Sequence, residues 1–136
     1  MKVFLGGTCN ESTWRDRLIS QLEVDYFNPV VPDWTEECMA EEVRQRETCD
    51  FVAYVITPFM TGVYAIAEVV DDSHKRPEKT LLCFLDCDLN ESGEGKNFTA
   101  GQVRSLKQVR KMVEENGATV FNGLNQLGLF LNDHKS

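Results

Sequence analysis

A continuous apolar run, Phe51-Val52-Ala53-Tyr54-Val55-Ile56, lies near the middle of the chain and is closed by Thr57-Pro58. Its β-branched and aromatic content, with no polar alternation, fits a strand covered on both faces, the kind found in parallel sheets. Proline cannot donate to a ladder and biases the residue before it away from helix, so the strand stops there. A loop carrying Gly62 follows. Val63, Ile66, Ala67 and Val70 then recur at helical spacing and predict a helix from about residue 63. Glu68 falls beside that apolar face, just over one turn into the helix. Ligands in open α/β sheets sit at the carboxyl ends of strands. A carboxylate hemmed in by apolar neighbours at that place is a candidate for chemistry rather than solubility.

A strand buried on both sides needs helices on both sides, and the remaining sequence supplies them. Residues 2–6 read as a first strand that runs into Gly6-Gly7-Thr8-Cys9-Asn10-Glu11-Ser12. Two glycines after a strand allow a sharp turn and close approach of a ligand. Ser12 or Thr13 can cap the next helix, in which Trp14, Leu18, Ile19 and Leu22 repeat at helical spacing. Strand, glycine turn and helix start together form a plausible cradle for an anion or nucleotide, although the Walker lysine and GxGxxG patterns are both missing. An ordinary βα turn has the same grammar.

Residues 26–32 predict a short second strand bounded by Pro29 and Pro32. Asp33 or Thr35 can cap an acidic-start helix through about residue 47. Trp34 beside that loop could stack on a flat ring or lie over the core. Residues 71–79 read as a solvated helix end and turn, residues 80–85 as a fourth buried strand, and residues 86–99 as a solvated loop on the ligand side. Asp86, Asp88, Glu91 and Glu94 lack the spacing of a calcium loop, so no metal site is expected. Residues 102–116 form an amphipathic helix ending at Asn116-Gly117. Arg104, Lys107, Arg110 and Lys111 are its wet face. Residues 118–121 give a last strand and residues 124–131 a closing helix. Five strands alternating with five helices make a single domain over residues 1–136. It is an α/β protein, a three-layer α/β/α sandwich around a five-stranded parallel sheet.

Net charge and cysteines narrow the function. At −8 over 136 residues, the chain lacks the basic surface that nucleic-acid polymers require, while a single nucleotide remains compatible. No apolar run is long enough to span a bilayer, and no secretory signal is read at the start, so a cytoplasmic setting is expected. The five cysteines (Cys9, Cys38, Cys49, Cys83, Cys87) are odd in number and scattered. They read as free thiols in a reducing compartment. Cys9, in the glycine turn, differs only in lying near a helix start. The two histidines, His74 and His134, lie in polar stretches away from it.

Three pieces of the chain carry a resemblance: Val3-Phe4-Leu5-Gly6-Gly7-Thr8, then Asn28-Pro29-Val30-Val31 with Asp33-Trp34, then Cys49-Asp50 through Glu68. Together they resemble the nucleoside 2-deoxyribosyltransferase-like family. The resemblance implies a Rossmann-like or flavodoxin-like sheet and cleavage of the N-glycosidic bond of a small nucleoside or nucleoside 5′-monophosphate, without a cofactor. It also implies a homodimer or higher oligomer, with a neighbour completing the pocket. By likeness of position, Glu68 is the nucleophile, and Tyr64 one turn back offers it a hydroxyl. Gly6, Gly7, Thr8, Asn10, Asp33, Trp34, Thr57 and Gly62 fall at substrate-binding positions. Arg15 or Arg17 could hold a 5′-phosphate. The family's first-strand tyrosine is replaced by Phe4, and its base-recognising aspartate by Gly62, for which Asp33 or Asp50 could substitute. A nucleotide-binding module without turnover is the alternative these departures leave open.

Overall fold

The computed structural model of the chain describes residues 1–135. Among these, a parallel sheet is built from β1 (Lys2–Gly7), β2 (Asp25–Phe27), β3 (Phe51–Ile56), β4 (Thr80–Phe84) and β7 (Thr119–Phe121), in the order β2-β1-β3-β4-β7. The order turns back on itself between β1 and β3, which leaves a crevice beyond the carboxyl ends of those two strands. Their register places Gly6 beside Tyr54 and Gly7 beside Val55. Helices flank both faces, giving the expected three layers.

Alternation along the strands sorts the core. Val3, Leu5, Ala53, Val55, Leu81 and Cys83 face α1 (Trp14–Ile19) and α5 (Leu124–Asp133), and meet Trp14, Leu18, Leu127 and Leu131. Phe4, Val52, Tyr54, Ile56 and Leu82 face the other way, toward Val69 of α3 (Tyr64–Lys75) and Val113 of α4 (Ala100–Glu115). Helix α2 (Glu36–Thr48) lies on this second face, yet none of its residues belongs to either apolar core among the described residues. It is held instead by polar bonds. Thr35 caps its start by accepting from the Cys38 backbone N–H at 3.2 Å, and Lys79 Nζ donates to the carbonyls of Glu47 and Cys49 at 2.7 Å each.

Several boundaries differ from the sequence reading for local reasons. The second strand stops at Phe27, because Asn28 Oδ1 accepts from the Val30 backbone N–H at 3.1 Å and turns the chain before the prolines can extend it. Residues 71–79 are not a solvated helix end. Helix α3 continues to Lys75, and Asp72 and Ser73 are fully buried before a short 3₁₀ turn at Pro77–Lys79. Residues 86–99 are not a plain solvated loop either. They contain an antiparallel hairpin, β5 (Cys87–Leu89) with β6 (Gly95–Asn97), pinned by buried Asp88. Asp88 accepts from Ser12 Oγ and from Arg17 Nη2, the latter at 2.6 Å, and so ties the hairpin to the start of α1. No helix among the described residues is long and apolar enough to cross a membrane.

Candidate active site

The glycine turn after β1 is shaped by contact, not by flexibility alone. A Cβ on Gly6 would stand 2.6 Å from the Tyr54 ring. Gly7 has φ +114° and its Cβ would stand 2.1 Å from the Val55 carbonyl oxygen, a place no side chain can occupy. Thr8 continues the turn: its hydroxyl accepts from the Thr57 backbone N–H at 3.0 Å, locking the ends of β1 and β3 together.

Opposite this turn opens a cavity of about 240 Å³. Gly6, Gly7, Thr8, Asn10, Trp34, Gly62, Tyr64 and Glu68 all line it, joined by Cys9, Arg15, Pro29, Glu42, Met60, Thr61 and Ala65. Eight of the ten residues singled out in the sequence are therefore brought together. The other two are not. Thr57 is buried behind Thr8, and Asp33 is exposed, offering only its carbonyl to Cys38 Sγ at 3.8 Å. Asp50 lies at the opposite end of β3, where its carboxylate accepts from the Lys2 backbone N–H at 2.8 Å. It therefore cannot stand in for the aspartate replaced by Gly62. Trp34 and Tyr64 form the outer rim, 56% and 72% exposed.

Glu68 is the enclosed acid of the site. Its side chain is 11% exposed, and Arg46 Nη1 of α2 lies 3.5 Å from its Oε2. Burial, then the charge of Glu42 and a hydrogen bond with it, push the Glu68 carboxyl up to about 7. Burial raises Glu42 as well, against the pull of its bond to Glu68 and of Arg46 and Arg15. Two carboxyls lining one cavity oppose each other's charge, and the more enclosed Glu68 is the one pushed up toward neutral pH.

Behind the pair stands an ion network. Arg46 donates Nε to Asp72 Oδ2 at 3.1 Å and Nη2 to Asp72 Oδ1 at 3.0 Å, and reaches Asp71 Oδ2 at 3.3 Å. Asp72 also accepts from the Tyr54 hydroxyl and from Arg76. Burial works against the Arg46 charge, but the Asp72 hydrogen bond and the surrounding negative groups outweigh it and hold the guanidinium above its usual range. Phe4, where the resemblance leads to the expectation of a tyrosine, is buried against Phe27 and Tyr54 and brings no hydroxyl to Glu68.

Sequence reading missed Glu42, Arg46, Asp72 and Tyr54. The available signal was the i, i+4 spacing of Glu42 and Arg46 on α2 and of Glu68 and Asp72 on α3, with Arg76 four residues further at its C-cap. The arginines near α1 are also settled. Arg17 pairs with Asp88 at 2.6 Å. Arg15 is buried and lines the cavity, but donates to the carbonyls of Leu5 at 3.1 Å, Thr8 at 2.5 Å and Gly7 at 3.4 Å. Among the described residues no group of three or more His, Cys, Asp or Glu side chains is placed to hold a metal ion.

The family model for nucleoside 2-deoxyribosyltransferase-like proteins matches residues 1–85, a span that holds every residue lining the cavity. The chain belongs to that family, and membership supports a glycosyl-transfer type of role on nucleosides. No curated protein matches the chain, and no solved structure does.

Proposed function

We propose that the protein cleaves the N-glycosidic bond of a small nucleoside, with Glu68 as the nucleophile, the base leaving and the sugar passing to water or to an acceptor base. The observation that carries this reading is the enclosed Glu68 carboxyl, facing a glycine turn at the sheet's switch point with a cationic partner at 3.5 Å. A carboxylate captures an oxocarbenium-like sugar carbon well, as in retaining glycosidases. Gly6, Gly7, Thr8 and Asn10 would face the sugar, Tyr64 would offer a hydroxyl one turn before Glu68, and Trp34 would stack on the base. Asp33 and Thr57 would act only indirectly, by shaping the loops that carry Trp34 and Thr8.

Charge favours an unphosphorylated nucleoside over a 5′-monophosphate. The cavity presents Glu42 and Glu68, and Arg15, the one cation lining it among the described residues, is engaged by backbone carbonyls. The cavity is also smaller than the usual ~300–1,000 Å³ of ligand pockets. A second copy of the chain covering its open side fits that shortfall. The outward face of α2 and its approach, with Tyr26, Val30, Val31, Trp34, Met39 and Val43 all exposed, gives such a homodimer an apolar contact. The setting would be cytoplasmic. The second reading, a nucleotide-binding module without turnover, is favoured by one observation: Phe4 leaves Glu68 without the family's hydroxyl partner.

Incubating wild type and Glu68→Ala with a panel of nucleosides and 5′-monophosphates, with and without an acceptor base, tests the reading. Free base from nucleosides with wild type alone is expected. Binding without release by either protein would leave the second reading in possession.

A further inference from the structure

The β5–β6 hairpin takes no part in the glycosidic reading, and it follows directly on the span shared with the family. Yet it reaches both loops at the mouth of the cavity. On the side of the glycine turn, Asp88 of β5 accepts from Ser12 Oγ and from Arg17 Nη2 at 2.6 Å, and the Leu89 carbonyl accepts from Thr13 Oγ1 at 3.3 Å. On the other side, Lys96 of β6 lies over the Phe59 ring, 6.0 Å from its centre, and Phe59 directly precedes Met60 and Thr61 of the cavity wall. The lining residues among those described do not include Ser12, Thr13, Asp88 or Phe59.

The segment between Thr8 and Ser12 depends on its two ends. At the near end, the Thr8 backbone N–H donates to the Val55 carbonyl at 2.9 Å, and its hydroxyl accepts from Thr57. Cys9, Asn10 and Glu11 are then exposed, and Glu11 takes φ +61°, a conformation disfavoured for a residue with a side chain. Contacts along this stretch are light: Cys9 Sγ lies 3.3 Å from the Gly7 carbonyl, and Asn10 Nδ2 donates to Thr61 Oγ1 at 3.3 Å. The far end is where Asp88 takes hold. Its side chain is 0% exposed, and its oxygens also accept from the Leu89 backbone N–H at 2.9 Å. If Ser12 moves away, a buried carboxylate loses a donor, so the bond is strongly favoured.

We propose that Ser12 and Asp88 are positioning residues of the site: the hairpin holds the far end of the glycine segment and so sets where Cys9 and Asn10 stand against the sugar. This rests on the reading of the cavity as a nucleoside site, and not on turnover there. A segment ordered before the nucleoside arrives spares binding the cost of ordering it. The same contact made in the bound and the transition state acts on KM and leaves kcat. Ser12 Oγ has a second task, since it accepts from the Trp14 backbone N–H at 3.2 Å and turns the chain into α1. Substitution separates the two. Ser12→Ala removes both bonds, Ser12→Thr keeps both, and Ser12→Asp keeps an acceptor for Trp14 while setting a second carboxylate against Asp88.

The test measures binding of 2′-deoxyadenosine, 2′-deoxyguanosine, 2′-deoxycytidine and thymidine by titration calorimetry in a Glu68→Ala background, where nothing is turned over, and kcat and KM with Glu68 present. Ser12→Ala and Ser12→Asp are expected to raise Kd and KM by about tenfold or more, the worth of a hydrogen bond to a charged group, with kcat little changed. Ser12→Thr is expected to restore both. Asp88→Asn is expected to act in the same direction and to add little to Ser12→Ala, because the two break one link. A Ser12→Asp protein that binds like wild type, or a Ser12→Ala protein that loses thermal stability with Kd and KM unmoved, overturns the proposal and leaves Ser12 as a helix start. Full additivity of Ser12→Ala and Asp88→Asn also overturns it. A Glu68→Ala protein that binds none of the four nucleosides with Ser12 intact overturns the reading of the cavity, and this inference with it.

Discussion

Asp72 is the test of how the site is held. Its side chain is 0% exposed and accepts from Tyr54, from Arg76, and from two nitrogens of Arg46, whose own side chain is 12% exposed. Asp72→Asn keeps the shape and removes the charge, leaving two guanidinium groups against an amide that also presents hydrogens to them. Breaking a buried pair from one side costs about 3–5 kcal/mol. For 136 residues, at about 2.1 cal/mol/K each, that lowers Tm by about 10–17 °C. Asp71→Asn is the control, because Asp71 meets the same Arg46 at 3.3 Å but is 44% exposed. Solvent screening limits its effect to about 1 kcal/mol or less. Thermal and urea unfolding followed by circular dichroism measure both. A Asp72→Asn protein within about 1 kcal/mol of wild type, or an Asp71→Asn protein equally damaged, would refute the assignment of Asp72 as the buried anchor.

Two further outcomes follow from the same geometry. Glu68 titrates at about 7 in the fold against an ordinary 4.5, so the folded state holds a proton that the unfolded chain has already lost. Its contribution to stability is therefore intact below about pH 4.5, declines as pH rises to about 7, and is fully lost above that, a change on the order of 3 kcal/mol. Glu68→Gln removes this penalty. The variant is expected to be more stable than wild type at pH 8 and to converge with it below pH 5, and a difference that is flat with pH in urea titrations refutes the sign. Gly7→Ala forces a Cβ against the Val55 carbonyl at φ +114° and is expected to cost at least about 3 kcal/mol. Unchanged thermal unfolding of that variant would contradict the turn geometry.

The fold was legible because the strands are unambiguous. Phe51–Ile56 and Thr80–Phe84 are short apolar runs stopped by Pro58 and by the polar hairpin, and two buried faces leave few alternatives to a parallel sheet. Glu68 was legible for the same reason, since strand, turn and helix start fix its place. What failed was the rule that polar runs lie in solvent. Asp72 and Asp88 sit in stretches dense with charge, yet each is buried because cations from elsewhere in the chain, Arg46 and Arg17, reach it over separations that no local pattern records.

Helix α2 inverts the usual pattern more completely, and the inversion explains why half the site was invisible. Met39 and Val43 face outward, 50% and 46% exposed, while Glu42, Gln45 and Arg46 face the body. Hydrophobic periodicity identifies inner faces by their apolar residues, so it assigns α2 the wrong side and discards the two residues that meet Glu68. A helix placed this way gains little from the apolar core and depends on the bonds of Arg46 and Lys79 for its seat. Arg46 is thus shared between two tasks: through Asp72 it seats α2, and through its charge beside Glu68 it offsets part of the upward push on that carboxyl. Any substitution that loosens the first must shift the second. Asp72→Asn should therefore move the titration of Glu68 downward while it lowers Tm, since Arg46 is released toward Glu68 and one neighbouring negative charge is removed.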